Sequence, residues 1–215
     1  MPSVISFLLA SPWANFPVTI LLFYLFGWRA FLFIIAAIFI AITTGYIFMF
    51  LESVNLIEKS KSVELKEKFS WKDFKSMSLK DSFLGIIYSI WSITDMLAWW
   101  SIIGLLIASF IGAFVPAHIF SRFFGPSILG LLATLAFATI IEVCSEGSAP
   151  IAFELFRKTG AFGNPLVFLL AGVATDYTEI GLIWTTIGKK TAIWLPIVTV
   201  PQIITFGFLF NYFVR

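Results

Sequence analysis

Residues 30–51 carry no charged side chain and are almost wholly apolar, and this run limits the chain to folds that can embed or hide such a segment. A helix needs about 20 apolar residues to cross the hydrocarbon core of a membrane, so the run is long enough to span it. Hydrophobic residues make up 60% of the chain and charged residues 12%, whereas ordinary soluble domains carry about 25% charged residues. A soluble fold of this size could not bury so much apolar surface. We therefore predict an all-α, polytopic membrane protein.

Six apolar segments divide the chain, and two or three of them are interrupted. The polar stretch 52–82 holds half of the twelve carboxylates and half of the fourteen basic residues, so we predict a solvated loop there. The predicted domains are the remainder of a first transmembrane repeat at 1–51, this loop, and a second repeat at 83–215. About six transmembrane helices are expected, from segments at 5–27, 29–51, 83–115, 126–143, 164–188 and 190–213.

The remaining six carboxylates lie within or beside apolar segments. A charge at the centre of a bilayer costs at least about 2.5 kcal/mol even on the mildest scale, so such a residue is usually functional or paired. Glu154 fits a membrane-edge position beside the basic pair that follows it. The tryptophans after Asp95 also fit an interfacial position for that residue. The candidates for proton or ion coupling are Glu142, Glu146, Asp176 and Asp95.

Glycine, proline and small polar residues interrupt the apolar segments at 11–17, 144–150 and 172–176. Where a helix unwinds, its last carbonyls and first amides lose their partners. In hydrocarbon those groups must be buried in protein or line a wet cavity. Within the second interruption we predict that the glycine and the proline end one helix and that Ser148 caps the next. The predicted helix-break residues are Ser11, Pro12, Gly147, Pro150 and Gly172.

A sequence repeat relates the start of the chain to its last third. Phe-Leu-Leu-Ala begins at Phe7 and again at Phe168, an offset of 161 residues that holds without a gap. The same offset places Asn15 over Asp176. Broken helices at corresponding positions of two halves are the best sequence indication of a transport site. If each segment spans the membrane once, the two copies have the same orientation across it. If residues 144–150 instead form the tip of a re-entrant hairpin, the two copies have opposite orientations.

The interruptions contain the side chains that we expect to contact a solute. Cys144 is the only cysteine, and a thiolate suits soft metals and trivalent arsenic. A free cysteine is also often a small buried apolar residue, and one thiol alone is a weak metal site. Glu146 could instead pair with a lysine or a backbone amide at the membrane edge. The predicted substrate-binding residues are Cys144, which is also the predicted metal ligand, Ser145, Glu146, Ser148, Asn15, Thr175, Asp176 and Glu179.

The sequence favours a transporter over other classes of protein. An enzyme is disfavoured because the chain has one histidine, no cluster of metal ligands and no Gly-x-Ser-x-Gly motif. The basic residues outside the polar loop lie at segment ends, where membrane topology explains them, so we expect no nucleic-acid partner and no cofactor. We predict a secondary transporter or half of one. The alternative is a non-transporting membrane subunit, or a fragment, that needs a partner chain.

Three motifs resemble the predicted permease family that contains the ArsP-type organoarsenical efflux permeases. They are Glu-Val-Cys-Ser-Glu-Gly-Ser-Ala-Pro from Glu142, Lys-Thr-Gly-Ala from Lys158 and Phe-Leu-Leu-Ala-Gly-Val-Ala-Thr from Phe168. The resemblance implies efflux of metalloids, organoarsenicals or soft metal ions across a prokaryotic plasma membrane. The family's first half carries a Cys-Ser-Cys-Gly-type motif that this sequence does not contain. We therefore expect a member that lacks its N-terminal part and works in the lipid bilayer as a homo-oligomer or with a second permease half.

Overall fold

The computed structural model describes residues 2–58, 79–114, 116–141 and 144–213, and within these ranges the chain is almost entirely α-helical. The predicted all-α class is confirmed. Most of the predicted polar loop lies outside the described residues. Two short 3-10 helices, Ser11–Ala14 and Gly27–Arg29, join the first three α-helices. The α-helices are α1 (Pro2–Ala10), α2 (Phe16–Phe26), α3 (Ala30–Ser53), α4 (Leu79–Phe114), α5 (Ala117–Phe123), α6 (Ile128–Ile141), α7 (Ser145–Thr159), α8 (Gly163–Thr175), α9 (Tyr177–Thr186) and α10 (Lys189–Phe213).

Three helical stretches of the described chain are long and apolar enough to cross a membrane by length and composition. Many large apolar side chains on the outer surface are exposed, as a bilayer-facing surface requires. The six predicted segments therefore divide into full-length stretches and shorter apolar helices. The full-length stretches are Phe16–Ser53, Gly163–Thr186 and Lys189–Phe213, and the shorter ones are Pro2–Ala14, Phe83–Ser92, Ile102–Phe114 and Ile128–Ile141.

Helices α6 and α7 form a hairpin that is too short to cross the membrane. They contain 14 and 15 residues, or about 21–23 Å each, against a hydrocarbon core of about 30 Å. α6 runs in the same direction as α8, because Thr134 Oγ1 accepts a hydrogen bond from Asn164 at the start of α8 and Thr139 Oγ1 lies 2.8 Å from Thr175 Oγ1 at its end. α7 runs back along α8, against which it packs. The tip of the hairpin, at Cys144, therefore lies inside the fold.

Helix α7 is much less apolar than α6 and α8, yet almost its whole length is buried. It packs against α2, α4, α5 and α8. Gly104 of α4 approaches Gly147 so closely that a Cβ on Gly104 would overlap the carbonyl oxygen of Gly147. Small residues allow this kind of close backbone packing between membrane helices. α7 therefore carries its polar groups into the protein interior rather than into lipid.

The second interruption precedes α7 instead of falling inside it. The sequence predicts Gly147 and Pro150 as helix breakers, but both lie within α7, so these predictions are wrong. Pro150 removes one intrahelical hydrogen bond, and in membrane proteins neighbouring helices and Ser or Thr side chains can satisfy the backbone group that is freed. Ser148 does not cap the helix; Cys144 occupies the N-cap position. Gly172 also lies inside a helix, α8, where a glycine costs only about 1 kcal/mol.

The two sequence copies have the same backbone plan. Asn15 (φ −76°, ψ 126°) and Asp176 (φ −56°, ψ 122°) are both extended residues between helices. α2 starts immediately after the first and α9 immediately after the second. Each of these helices is followed by a glycine with positive φ, Gly27 and Gly188, at the same offset of the sequence. The repeat read from the sequence therefore corresponds to a repeated unit of a broken helix followed by a long helix.

The long helices of the two copies, α3 and α10, run antiparallel. Phe33 near the start of α3 stacks on Phe210 near the end of α10, with ring centroids 6.5 Å apart. In the middle of the pair, Gln202 Nε2 donates a hydrogen bond to Thr44 Oγ1 at 3.0 Å. Glu58, just beyond the end of α3, contacts the start of α10. The two copies are therefore inverted, the arrangement that a re-entrant hairpin at 144–150 implies.

Glu58 caps α10 from the far end of α3. Its carboxylate accepts hydrogen bonds from Lys190 N, Thr191 N and Thr191 Oγ1, each at 3.0 Å. Desolvation raises the pKa of Glu58, but the hydrogen bonds outweigh it and lower the pKa from 4.5 to about 2. A carboxylate at a helix N-terminus satisfies the first amides and interacts favourably with the helix dipole. From a position outside the membrane-spanning stretches, Glu58 therefore ties the first copy to the first turn of α10 in the second copy.

Replacing Glu58 with alanine is expected to lower the free energy of unfolding by about 1 kcal/mol near neutral pH, as for other N-caps. The folded-state pKa lies below the unfolded one, so this stabilisation is present above about pH 5 and is lost as the pH falls towards 2. Thermal unfolding of both proteins in detergent at several pH values measures the difference. Glu52→Ala, which removes a carboxylate from the last turn of α3, is the matched control. A difference that did not shrink in acid would contradict the capping role.

Candidate functional site

Three helix interruptions meet in the middle of the fold. The first is at Asn15 before α2, the second at Cys144 before α7 and the third at Asp176 between α8 and α9. α8 and α9 form one interrupted stretch of 24 residues, which is about 36 Å long. Asp176 follows the 13 residues of α8 and therefore lies near half of that length. Polar groups at this depth are separated from bulk water on both sides of a membrane.

Glu146 is the side chain that joins the first two interruptions. It lies in the first turn of α7 and is only 8% exposed. Asn15 Nδ2 donates a hydrogen bond to Glu146 Oε1 at 3.1 Å, and Ser145 Oγ donates to Glu146 Oε2 at 3.2 Å. The positive end of the α7 dipole also favours a negative charge there. Because Asn15 belongs to the first copy and Glu146 to the hairpin of the second, their hydrogen bond connects the two copies across the site.

Cys144 forms the tip of the hairpin. Its backbone is extended (φ −56°, ψ 161°) and its side chain is partly buried. Its carbonyl oxygen accepts hydrogen bonds from Ser148 N at 2.8 Å and from Ser148 Oγ at 2.9 Å. These bonds hold the tip against the first turn of α7. The residue with the softest ligand atom in the chain is therefore fixed at the point where α7 begins.

Asp176 fixes the third interruption by capping α9. Its Oδ1 accepts hydrogen bonds from Thr178 N and Thr178 Oγ1 at 2.7 Å and from Glu179 N at 3.4 Å. Thr175, the last residue of α8, places its hydroxyl 2.8 Å from that of Thr139 in α6. Thr139 was not among the predicted residues, although it lies in α6 close to the second interruption. The turn at Asp176 is therefore held from within α9 and from α6.

Two cavities lie beside the interruptions and share part of their walls. The smaller, of about 230 Å³, is lined by five of the predicted substrate-binding residues, Cys144, Ser145, Ser148, Asp176 and Glu179. The larger, of about 630 Å³, is lined by three of the predicted substrate-binding residues, Asn15, Ser145 and Glu179. Pro12 also lines both. The predicted residues from three separate parts of the sequence are thus brought to one place.

Equivalent positions of the two inverted copies line the two cavities. Leu8, Ser11 and Asn15 line the larger cavity, and the smaller cavity is lined by the residues 161 positions later, Leu169, Gly172 and Asp176. The apolar members of these walls, including Val4 and Phe7, were missed by sequence reasoning because they resemble lipid-facing residues. The repeat register is the signal that could have found Leu8 and Leu169. The cavities are therefore related by the same inversion as the helices.

Both cavities have carboxylates and lack basic side chains among the described residues that line them. Glu179 contributes to both, and its Oε2 is enclosed without a hydrogen-bond partner in the part of the chain that the structure describes. An unpaired buried carboxylate oxygen is unfavourable unless a proton or a cation compensates it. The arrangement is therefore suited to a solute or an ion that carries positive charge or a proton.

Two of the predicted coupling residues are not part of this site. Asp95 lies on an exposed part of α4 and lines neither cavity. Glu142 lies outside the described residues. Within the described ranges no group of three or more His, Cys, Asp and Glu side chains could hold a metal ion. The role of Cys144 as a metal ligand stays a prediction.

Comparison with known protein families matches this chain to a family model. A family model described as a predicted permease, ArsP_1, matches residues 1–212. No curated protein and no solved structure matches the chain. The family match covers all three interruptions and both cavities.

Proposed function

The chain belongs to the ArsP_1 predicted permease family, and from that premise we propose that it exports thiophilic solutes through the site where its three helix interruptions meet. The solutes are metalloids, organoarsenicals or soft metal ions. A permease is a membrane protein and a transporter rather than an enzyme, and the apolar helices agree with that class. The proposed location is the prokaryotic plasma membrane.

The pair of inverted cavities is the observation that carries this proposal. In transporters built from inverted repeats, substrates bind near the bilayer midplane at the interface between the repeats, where helices are discontinuous. Here the larger cavity is lined by the first broken helix and the smaller by the second, and Ser145 at the hairpin tip lines both. Moving one copy against the other would exchange the roles of the two cavities. That exchange is what alternating access requires.

The side chains around the smaller cavity have the chemistry for a thiophilic solute. The sulfur of Cys144 is a soft ligand, which favours trivalent arsenic and soft metal ions over hard cations. Ser145, Ser148 and Asp176 add oxygen atoms around the same cavity. The hydrogen bond between Asn15 and Glu146 lies between the two copies, so their relative movement would break or remake it. Solute transport is thereby coupled to the breaking and remaking of the hydrogen bond between Asn15 and Glu146.

Export assays in cells that express the full chain test the proposal with a trivalent methylarsenical, Cu⁺ and Zn²⁺. Cys144→Ser is expected to lower export of the methylarsenical and Cu⁺ by about tenfold or more, which corresponds to about 1.4 kcal/mol of lost interaction. Glu146→Gln and Asp176→Asn are expected to lower export of each exported solute, because they remove the charge that holds the interruptions in place. Zn²⁺, a less soft ion, is expected to be exported less well than Cu⁺.

Glu52→Gln is the matched control for the two acidic variants, because it removes a carboxylate from the end of α3, far in sequence from each interruption. Membrane abundance of every variant is measured alongside export. If all three site variants exported like the parent, the site assignment would be wrong. If the parent exported none of the three solutes, the proposed solute class would be wrong.

A further inference from the structure

Glu179 occupies the wall that separates the two cavities. It lies in the first turn of α9 and lines both of them, together with Pro12 and Ser145. Of these three shared residues, Glu179 is the one with an ionisable side chain. A group in this position borders both cavities, and the two cavities would open to opposite sides of the membrane in the proposed transport cycle. It can therefore contact an ion or a proton in either state of an alternating site.

The carboxyl of Glu179 differs from its acidic neighbours in how its oxygens are satisfied. Glu146 accepts hydrogen bonds from Asn15 and Ser145, and Asp176 accepts them from the first turn of α9. Glu179 Oε2 is enclosed and has no donor in the described part of the chain. A carboxyl oxygen in such a place either carries a proton or faces a cation, because a bare charge there is costly.

No basic residue of the described chain is available in either cavity to neutralise Glu179. The titratable groups around it are Asp176 on its own helix, Cys144 and Glu146 on the hairpin, and no ionisable group from α1. The neighbouring charges are thus negative. The inverted copy offers no second group of this kind, because Val18 stands at the equivalent position and is fully buried. Among the described residues, the two cavities therefore share a single carboxyl group, that of Glu179.

We propose that Glu179 exchanges one proton for each solute that the site carries, an inference that rests on the proposed transport function. When the solute leaves, the Glu179 carboxylate binds a proton from the water on that side and becomes a neutral carboxylic acid. When the next solute enters from the other side, the O–H bond breaks and the proton leaves to the water there. The carboxylate is regenerated in each cycle, and the proton and the solute move in opposite directions.

The full chain in lipid vesicles tests this coupling, with a trivalent methylarsenical and Cu⁺ as probes and a pH-sensitive dye inside. In the parent, probe leaving the vesicles is expected to acidify the interior. Glu179→Gln is expected to lose the proton movement that accompanies transport of the probe. Glu52→Gln is expected to keep both the probe transport and the proton movement. Proton movement by Glu179→Gln equal to that of the parent would overturn the proposal.

A measurement that does not depend on transport tests proton binding by Glu179 separately from the proposed transport of solutes. Infrared difference spectra of the protein in hydrated lipid films over a pH titration detect the C=O band of each carboxyl that gains a proton. The parent and Glu52→Gln are expected to show a titrating band that Glu179→Gln lacks. If the parent carried neither probe, the solute proposal would fail while this band still tested Glu179. An unchanged band in Glu179→Gln would show that another group binds the proton and would end the inference.

Discussion

Replacing Gly104 with alanine is expected to abolish the proposed export and to lower the melting temperature of the protein. The added Cβ would overlap the carbonyl oxygen of Gly147 and lie 2.5 Å from its Cα. Both atoms belong to the backbone of α7, so no side chain can rotate away to make room. Overpacking of this kind costs about 1–3 kcal/mol or more. Because Gly147 follows Glu146 directly, moving α7 also separates Glu146 from Asn15.

Gly85→Ala is the control for this prediction, because it makes the same change in the same helix, α4. A Cβ on Gly85 would meet no atom of the described residues within 4 Å. Alanine is also favoured over glycine in a helix by about 1 kcal/mol, so Gly85→Ala should match or exceed the stability of the parent. Thermal unfolding in detergent and export from cells are measured for both variants. Parent-like export and melting of Gly104→Ala would show that the close approach of α4 and α7 is not required.

The sequence was sufficient for the class of fold and for two of the three interruptions. Apolar runs of spanning length indicated membrane helices, and the offset of 161 residues aligned Asn15 with Asp176, which share a backbone conformation. The hairpin was harder to predict because hydropathy does not distinguish a half-length helix from a complete span. The start of α7 was misplaced for a related reason, because the predicted helix breakers Gly147 and Pro150 lie inside α7. Its helical start depends on tertiary contacts such as that of Gly147 with Gly104, which no local pattern reveals.

The acidic and thiol residues of the site could be found from the sequence because each is unusual in an apolar environment. The hydrogen-bond partners of these residues could not be found from the sequence. The hydrogen bond from Asn15 to Glu146 joins residues 131 positions apart, and no local pattern predicts such a pair. The distinction between Glu179 and Asp176 also required coordinates, since both are acids of the same helix start. Only the positions of the surrounding donors show that Asp176 Oδ1 is satisfied whereas Glu179 Oε2 has no donor within the described ranges.

Replacing Asn211 with leucine is expected to lower the free energy of unfolding by about 2–4 kcal/mol, since two buried groups lose their partners. Asn211 Oδ1 accepts a hydrogen bond from Gly163 N at 2.6 Å, and its Nδ2 donates to Asn164 Oδ1 at 2.9 Å. Asn164 is fully buried and also donates to Thr134 Oγ1. The network joins the end of α10 to the start of α8 and the middle of α6. Thr205→Val, an exposed change on α10, should be nearly neutral in the same thermal unfolding assay.

A double-mutant cycle with Asn164→Leu shows whether these side chains act as a network. Asn211→Leu removes the donor to Asn164 Oδ1, and Asn164→Leu removes that acceptor from Asn211 Nδ2, whereas the double change removes both groups of this hydrogen bond. The double variant should therefore be less destabilised than the sum of the two single variants, by about 0.5–3 kcal/mol. Strict additivity would mean that the two residues stabilise the fold independently. Coupling would show that Asn164 and Asn211 act together in joining the start of α8 to the end of α10.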